Sequence, residues 1–255
     1  MNQYRPSFLD SIPPVVKNLI IINLLFWLAS ITLPRMMGID VSYWLGLHYW
    51  EASNFRAFQL ISYMFLHGSF EHLFFNMFGL FMFGRILEYT WGSKRFLIYY
   101  MVTGIGAGIV QEIVWTIDLH SVSKEIADLA ASGLQQGINV GDRIIYSADE
   151  LFRWKREVLF NRYLTVGASG SIFGLLLAFG MLFPNQPIFL LFIPIPIKAK
   201  YFVVGYAVIE LFLGVGNFQF DNVAHFAHLG GMLFGYFLIR KWRRGNNSNG
   251  QMFGL

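Results

Sequence analysis

The chain has 255 residues, of which 55% are hydrophobic and only 13% charged, against roughly 25% charged in soluble domains. With 27 Phe and 7 Trp it carries more apolar surface than a water-soluble globule can cover, which excludes both a soluble enzyme and a disordered chain. The net charge of +4 sits in short basic runs beside apolar stretches, the pattern of membrane anchoring and not of nucleic-acid binding, and the absence of cysteine excludes disulfides, zinc-thiolate sites, iron–sulfur clusters and thiol catalysis.

A spanning helix needs about 20 mostly apolar residues, and six segments qualify. The first covers 18–33 and is expected to end before Pro34. No small-residue cleavage site follows it, so it reads as a span and not as a cleavable signal. The second covers 70–87, with Ser69 as a candidate N-cap and Glu71 in the first turn, where the helix dipole favours it. The third covers 96–117. Residues 118–163 then turn polar. Within them Ser147 and Glu150 read as a capping box, and Leu151, Phe152, Trp154, Val158 and Leu159 among charged residues predict an amphipathic helix lying at the membrane surface. The fourth span covers 167–183 and stops at Pro184, the fifth covers 201–215 and the sixth 223–239.

The basic residues orient these spans. With the N-terminus inside, Arg5, Lys17, Arg85, Lys94, Arg95, Lys198, Lys200, Arg240, Lys241, Arg243 and Arg244 all fall on the inner side. Apart from the long third loop, the outer side holds only Arg35 and Arg56. The positive-inside rule therefore puts both termini in the cytoplasm. The third loop carries the remaining cations, but long loops cross largely regardless of charge. The expected layout is a cytoplasmic tail at 1–17, a membrane domain at 18–240 with an insertion at 118–163, and a cytoplasmic tail at 241–255. The fold class is all-α and polytopic, a bundle of six transmembrane helices with a long helical third outer loop, in a bacterial inner (plasma) membrane.

Polar side chains inside a bilayer are costly and mark function by default. His67, His72, His225 and His228 fall in or beside spans, together with Asn76 and Ser169. His72 and Asn76 are four apart and share one face of the second span. Taken alone, that pair reads better as hydrogen-bonding glue between helices. Ser169 lies in Gly167-Ala168-Ser169-Gly170, with access for a reactant and room for a close-packed helix; Gly170 and Gly174 also fit an ordinary small-xxx-small packing face. In the sixth span Gly231 and Gly235 form a second such face, with His228 three residues earlier. Glycine contacts would bring Ser169 toward His228. All three clusters begin spans that run from outside to inside, so they share one depth, within one or two helical turns (roughly 5–10 Å) of the outer surface. A serine beside a histidine base, with His and Asn donors opposite, is an acyl-transfer constellation.

Those residues resemble the rhomboid family of intramembrane serine proteases. The resemblance is carried by His67-x4-His72-x3-Asn76, Gly167-Ala168-Ser169-Gly170, Ala227-His228-x2-Gly231-x3-Gly235, and Gly84-Arg85-x2-Glu88 with Trp91-Gly92; it covers nearly all of 18–240. It implies that Ser169 is the nucleophile and His228 its base, working as a dyad. His72 and Asn76, with the Ser169 N–H, would stabilise the oxyanion. His67, Phe173, His225, Gly167, Gly170, Gly231 and Gly235 would support the site. It further implies a serine-type endopeptidase that needs no cofactor or metal. Its partners would be the lipid bilayer and transmembrane protein substrates whose helices are locally unstable. Two positions depart from the family. Phe58-Gln59 stands where a Trp-Arg pair is common, which bears on loop stability, and Phe173 stands where tyrosine is common. No acidic third member is required; Glu210 and Asp221 are the nearest acids along the chain, and no motif puts either on the base. Three rival classes remain. One is a metal-dependent membrane hydrolase using His67, His72, His225 and His228, although no HExxH is present. Another is a non-catalytic, rhomboid-like client-binding protein. The third is a transporter, for which paired broken helices are lacking.

Overall fold

The computed structural model describes residues 11–132, 137–141, 143–190, 193–216 and 224–248. The chain is mostly helical. It opens with α1 (Pro14–Met37), and α2 (Val41–Leu45), β1 (Leu47–His48) and α3 (Gln59–Ser62) follow in the first loop. Then come α4 (Phe70–Gly79), a π-helical stretch at Leu80–Gly84, α5 (Arg85–Trp91) and α6 (Ser93–Asp118). The long loop contains α7 (His120–Ala131), β2 (Ile138–Val140), β3 (Arg143–Ile145) and α8 (Ala148–Trp154). Next are β4 (Leu164–Thr165), α9 (Ser169–Leu182), β5 (Pro187–Leu190) and β6 (Ile193–Lys198), and the chain closes with α10 (Ala199–Gly216) and α11 (His225–Ser248). Among the described residues, α1, α6 and α10 are long and apolar enough to cross a membrane, and α9 is a shorter apolar helix.

Two expectations need correction. The first helix does not end before Pro34; it continues through it to Met37. Proline lacks the N–H that would bond the carbonyl four residues back, so the helix passes Pro34 with that one bond missing. Gly38 then ends the helix in the left-handed conformation (φ 68°), donating its N–H to the Pro34 carbonyl. Nor is the chain all-α. Among the described residues three short antiparallel pairs form: β1 with β4, β2 with β3, and β5 with β6. In the last of these, isoleucine alternates with Pro194 and Pro196, an alternation that suits an edge strand in which missing N–H groups cost nothing.

The bundle is built around α6, α9 and α11, which pack most extensively on one another. Most of α9 is buried, including Gly170, Ser171, Leu175 and Ala178. Small residues make this possible. A Cβ on Gly170 would overlap Ala107 of α6, one on Gly174 would strike Thr103 at 2.7 Å, and one on Gly235 would overlap the Tyr99 hydroxyl. The glycine faces predicted to join the fourth and sixth spans are thus shared with the third: only Gly231 meets α9, while Gly174 and Gly235 both pack on α6. By contrast α10 is peripheral. It buries Ala199, Val203 and Glu210 and leaves Val204, Val208, Phe212 and Val215 more than half exposed, an apolar surface that only lipid or another protein would cover.

The long loop folds on itself. Ile126 from α7, Ile145 from β3 and Leu151 from α8 form a small separate core, with Ile138, Trp154 and Leu159 packed against it. The helix start at Ser147 is as predicted, its hydroxyl accepting from the Glu150 N–H. Part of its apolar face is taken up by the loop itself: Leu151 is buried and Trp154 half-buried within the loop's own core, while Phe152 and Val158 stay exposed. The return stretch 155–163 is fastened to the first loop. Arg156 Nε donates to the Glu51 carbonyl (3.0 Å), Asn161 bonds both the Asn54 N–H and Ser53 Oγ, and Phe160 packs edge-on to Tyr49. Within the first loop Gln59 is buried and bonds the backbone of Trp44, His48, Asn54 and Arg56. This amide thus organises the loop at the position where the Trp-Arg pair was absent.

Candidate active site

Four residues from three helices meet at the end of the bundle that carries the two large loops. Ser69 caps α4, accepting the His72 N–H at 3.1 Å, and so starts the helix where His72 and Asn76 fall on one inward face. Ser169 is the first residue of α9, where the amides of a first turn have no acceptor within the helix. Gly167 before it has φ 136°, a conformation side chains rarely adopt, and its N–H is bound by the Tyr63 carbonyl at 2.9 Å. A Cβ there would also meet His72 Nε2 at 2.7 Å. The glycine therefore lets His72 close on the serine.

Ser169 Oγ donates to His228 Nε2 at 2.8 Å. Phe173, one turn along α9, stacks face to face on the imidazole, with centroids 4.1 Å apart and planes 7° apart, and Tyr206 of α10 stacks on Phe173. Phe173, at the position where the resembled family commonly has tyrosine, thus lies flat on the His228 ring. Asn76 is buried, and its Nδ2 has no hydrogen-bond partner among the described residues. It lines, with His72, Ser169 and His228, a cavity of about 650 Å³ whose remaining wall is mainly apolar: Phe75, Met82, Leu176 and Phe202 among others. A buried amide donor with nothing to bond is costly unless something arrives to accept from it. His67 lies edge-on to His72, with ring centroids 5.0 Å apart. Gly231 packs on the Gly170 backbone, whereas Gly235 packs on Tyr99 and Thr103 of α6.

The acid judged unnecessary is present. Glu210 Oε2 accepts from His228 Nδ1 at 2.8 Å and from His225 Nδ1 at 2.7 Å, and all three side chains are buried. The signal was a lone carboxylate in an apolar span; no local spacing links it to histidines 15 and 18 residues away. Asp221 lies outside the described residues. The three side chains offer ligand atoms within 4.8 Å of one another, as a metal site would. Yet ligands about 2.0–2.1 Å from a tetrahedral zinc stand roughly 3.3 Å apart. Contacts of 2.7 and 2.8 Å are hydrogen bonds. His67 and His72, proposed with the other two histidines as metal ligands, are not in that group.

Residues 54–123 and 144–244, more than half of the chain, match the family model of the Rhomboid domain. The rhomboid protease GlpG of Haemophilus influenzae is 31% identical over 86 residues, 33% of this chain and 45% of that protein. YdcA of Bacillus subtilis is 27% identical over 195 residues, 75% of this chain and 72% of that protein. The first of these matches spans less than half of its relative's length. The stretch between the two matched segments, 124–143, holds most of α7, all of β2 and the first residue of β3. On the extent of the Rhomboid-domain match the chain, an integral membrane protein, belongs to the rhomboid family.

Proposed function

We propose that this protein is an intramembrane serine endopeptidase with Ser169 as nucleophile and His228 as general base. The observation that carries the reading is the 2.8 Å hydrogen bond from Ser169 Oγ to His228 Nε2 in the wall of a cavity that His72 and Asn76 also line. In the first half-reaction Ser169 Oγ bonds to the scissile carbonyl carbon while its proton passes to His228 Nε2. His72, Asn76 and the Ser169 N–H meet the oxyanion. Collapse of the tetrahedral intermediate breaks the C–N bond, and His228 returns the proton to the leaving amine. Water then attacks the acyl-enzyme, with His228 again taking and returning a proton.

The proposed setting is a membrane domain over 18–240 with six spans: α1, α4 through α5, α6, α9, α10 and α11. Both termini face the cytoplasm of a bacterial plasma membrane, and the site opens to the outer side. Substrates are transmembrane proteins whose helix is weak enough to present an extended strand, because a stable helix hides its carbonyls. The test is labelling of the full-length protein, in lipid vesicles, by a fluorescent fluorophosphonate. Wild type should label and Ser169→Ala should not; equal labelling of the two would reject the reading.

A further inference from the structure

Resting on that assignment of Ser169 and His228, we propose that Glu210 is a positioning residue of the catalytic machinery, a third member that sets the tautomer and orientation of His228, and that His225 in turn holds Glu210. The geometry of the base suits a partner of this kind. To take the serine proton, His228 Nε2 must carry a lone pair, so the neutral ring must carry its hydrogen on Nδ1. That Nδ1–H points at Glu210 Oε2. The ring is then fixed at both nitrogens and along its face, by Ser169, Glu210 and Phe173. When Nε2 gains the proton the ring becomes cationic, and the carboxylate already lies against the charge that develops.

Packing does not account for this carboxylate. Glu210 is buried on α10, a helix whose other buried residues are Ala199 and Val203, and a buried acid costs stability that an apolar residue would not. Two N–H donors on one oxygen make the cost tolerable. His225 and His228 are three apart on one face of α11, so both reach the same atom, and the pair ties α10 to α11 beside the nucleophile. His225 thus supports the site by orienting the acid and not by touching substrate.

The experiment follows phosphonylation of Ser169, in which the Oγ–P bond forms, fluoride leaves and the hydroxyl proton passes through His228 Nε2 to water. It uses the full-length protein in vesicles and the same fluorescent fluorophosphonate. The maximal labelling rate constant, the half-saturating probe concentration and the melting temperature are measured for Ser169→Ala, Glu210→Gln, Glu210→Asp, His228→Ala and the Glu210→Gln/His228→Ala double variant. A glutamine amide can donate to Nδ1 and so favour the wrong tautomer, the change that costs up to about 10⁴-fold in the serine-protease triad. Glu210→Gln should lower the rate constant by roughly 10²–10⁴-fold, leaving half-saturation and melting temperature near wild type. Glu210→Asp should recover part of the loss, and the double variant should label no more slowly than His228→Ala. A wild-type rate in Glu210→Gln alongside an unlabelled Ser169→Ala overturns this proposal and leaves the proposed function standing. So does a loss that multiplies onto that of His228→Ala, or a wild-type rate that changes on treatment with a zinc chelator. A Ser169→Ala variant labelled like wild type overturns the nucleophile itself.

Discussion

Gly231 lies so close to Gly170 that a Cβ on Gly231 would overlap the Gly170 carbonyl. The obstacle is backbone and not a flexible side chain, so α9 and α11 would have to separate. The same two helices carry Ser169 and His228, whose hydrogen bond has no slack at 2.8 Å. Gly231→Ala is therefore expected to cost about 1–3 kcal/mol of stability and to abolish serine labelling. Gly205→Ala is the control. Its Cβ would meet nothing within 4 Å, and alanine in a helix interior is better than glycine by up to about 1 kcal/mol. Thermal unfolding in detergent should show the first variant lower and the second equal or higher.

His72→Ala and Asn76→Ala should each lower kcat on a transmembrane reporter by roughly 10²–10³-fold, with a much smaller change in KM. The reason is the unsatisfied Asn76 Nδ2 and the position of His72 against Gly167, both in the cavity wall that also holds Ser169. Donors waiting for an oxyanion act on the transition state and add little to substrate binding. A change confined to KM would reassign both residues to packing.

What could be read from the sequence followed physical range. The apolar runs marked α1, α6 and α10, the helices long and apolar enough to cross a membrane among the described residues, because about 20 apolar residues leave little alternative. Ser69, His72 and Asn76 were legible because caps and i, i+4 pairs are local. Ser169 and His228 could be joined, although 59 residues apart, because each sits beside glycine at the start of a span. Glu210 could not be joined in this way. Its span, 201–215, is apolar on every face, so nothing in the pattern says which side turns inward. The partners of Gly174 and Gly235 were misread for a related reason: a glycine face shows that a helix comes close, not which one. The self-contained core of the long loop was missed because α7 and the β2–β3 hairpin are too short to announce themselves.

Glu88, in the Gly84-Arg85-x2-Glu88 motif, is buried and accepts the Val15 N–H at 3.0 Å, the Val16 N–H at 2.8 Å and the Ser93 hydroxyl at 2.6 Å. One carboxylate therefore satisfies first-turn amides of α1 and joins α1, α5 and α6 at the end of the bundle opposite Ser169. Glu88→Ala leaves the buried Val16 N–H and the half-buried Val15 N–H and Ser93 hydroxyl without that acceptor and should cost about 1–3 kcal/mol. Hydrogen exchange should quicken at the start of α1, while labelling of Ser169 per folded molecule stays at the wild-type rate. A slowed labelling rate at full folding would show that Glu88 reaches the site after all.

The long loop divides into two parts with different expected behaviour. Residues 124–143 fall between the two Rhomboid-domain matches, and Ile126, Ala130, Ile138 and Val140 among them pack in the loop's own core. Residues 155–163 hold the first loop through Arg156, Asn161 and Phe160, and lead through β4, paired with β1, into Gly167 and Ser169. Replacing 124–143 by a short Gly/Ser linker exposes Leu151 and Trp154 but leaves those fastenings in place. Serine labelling should survive it, since surface loops tolerate large changes in length at little cost. Asn161→Ala removes hydrogen bonds to Asn54 and Ser53 and should loosen the segment that positions Gly167, lowering the labelling rate and the melting temperature together. Exchanging Leu151, Phe152 and Trp154 for serine separates the two roles. If cleavage of a transmembrane reporter falls while fluorophosphonate labelling holds, the loop's core governs entry of the helix and not the chemistry. If both hold, the folded insertion is passive toward this substrate, and only its return stretch matters to the site.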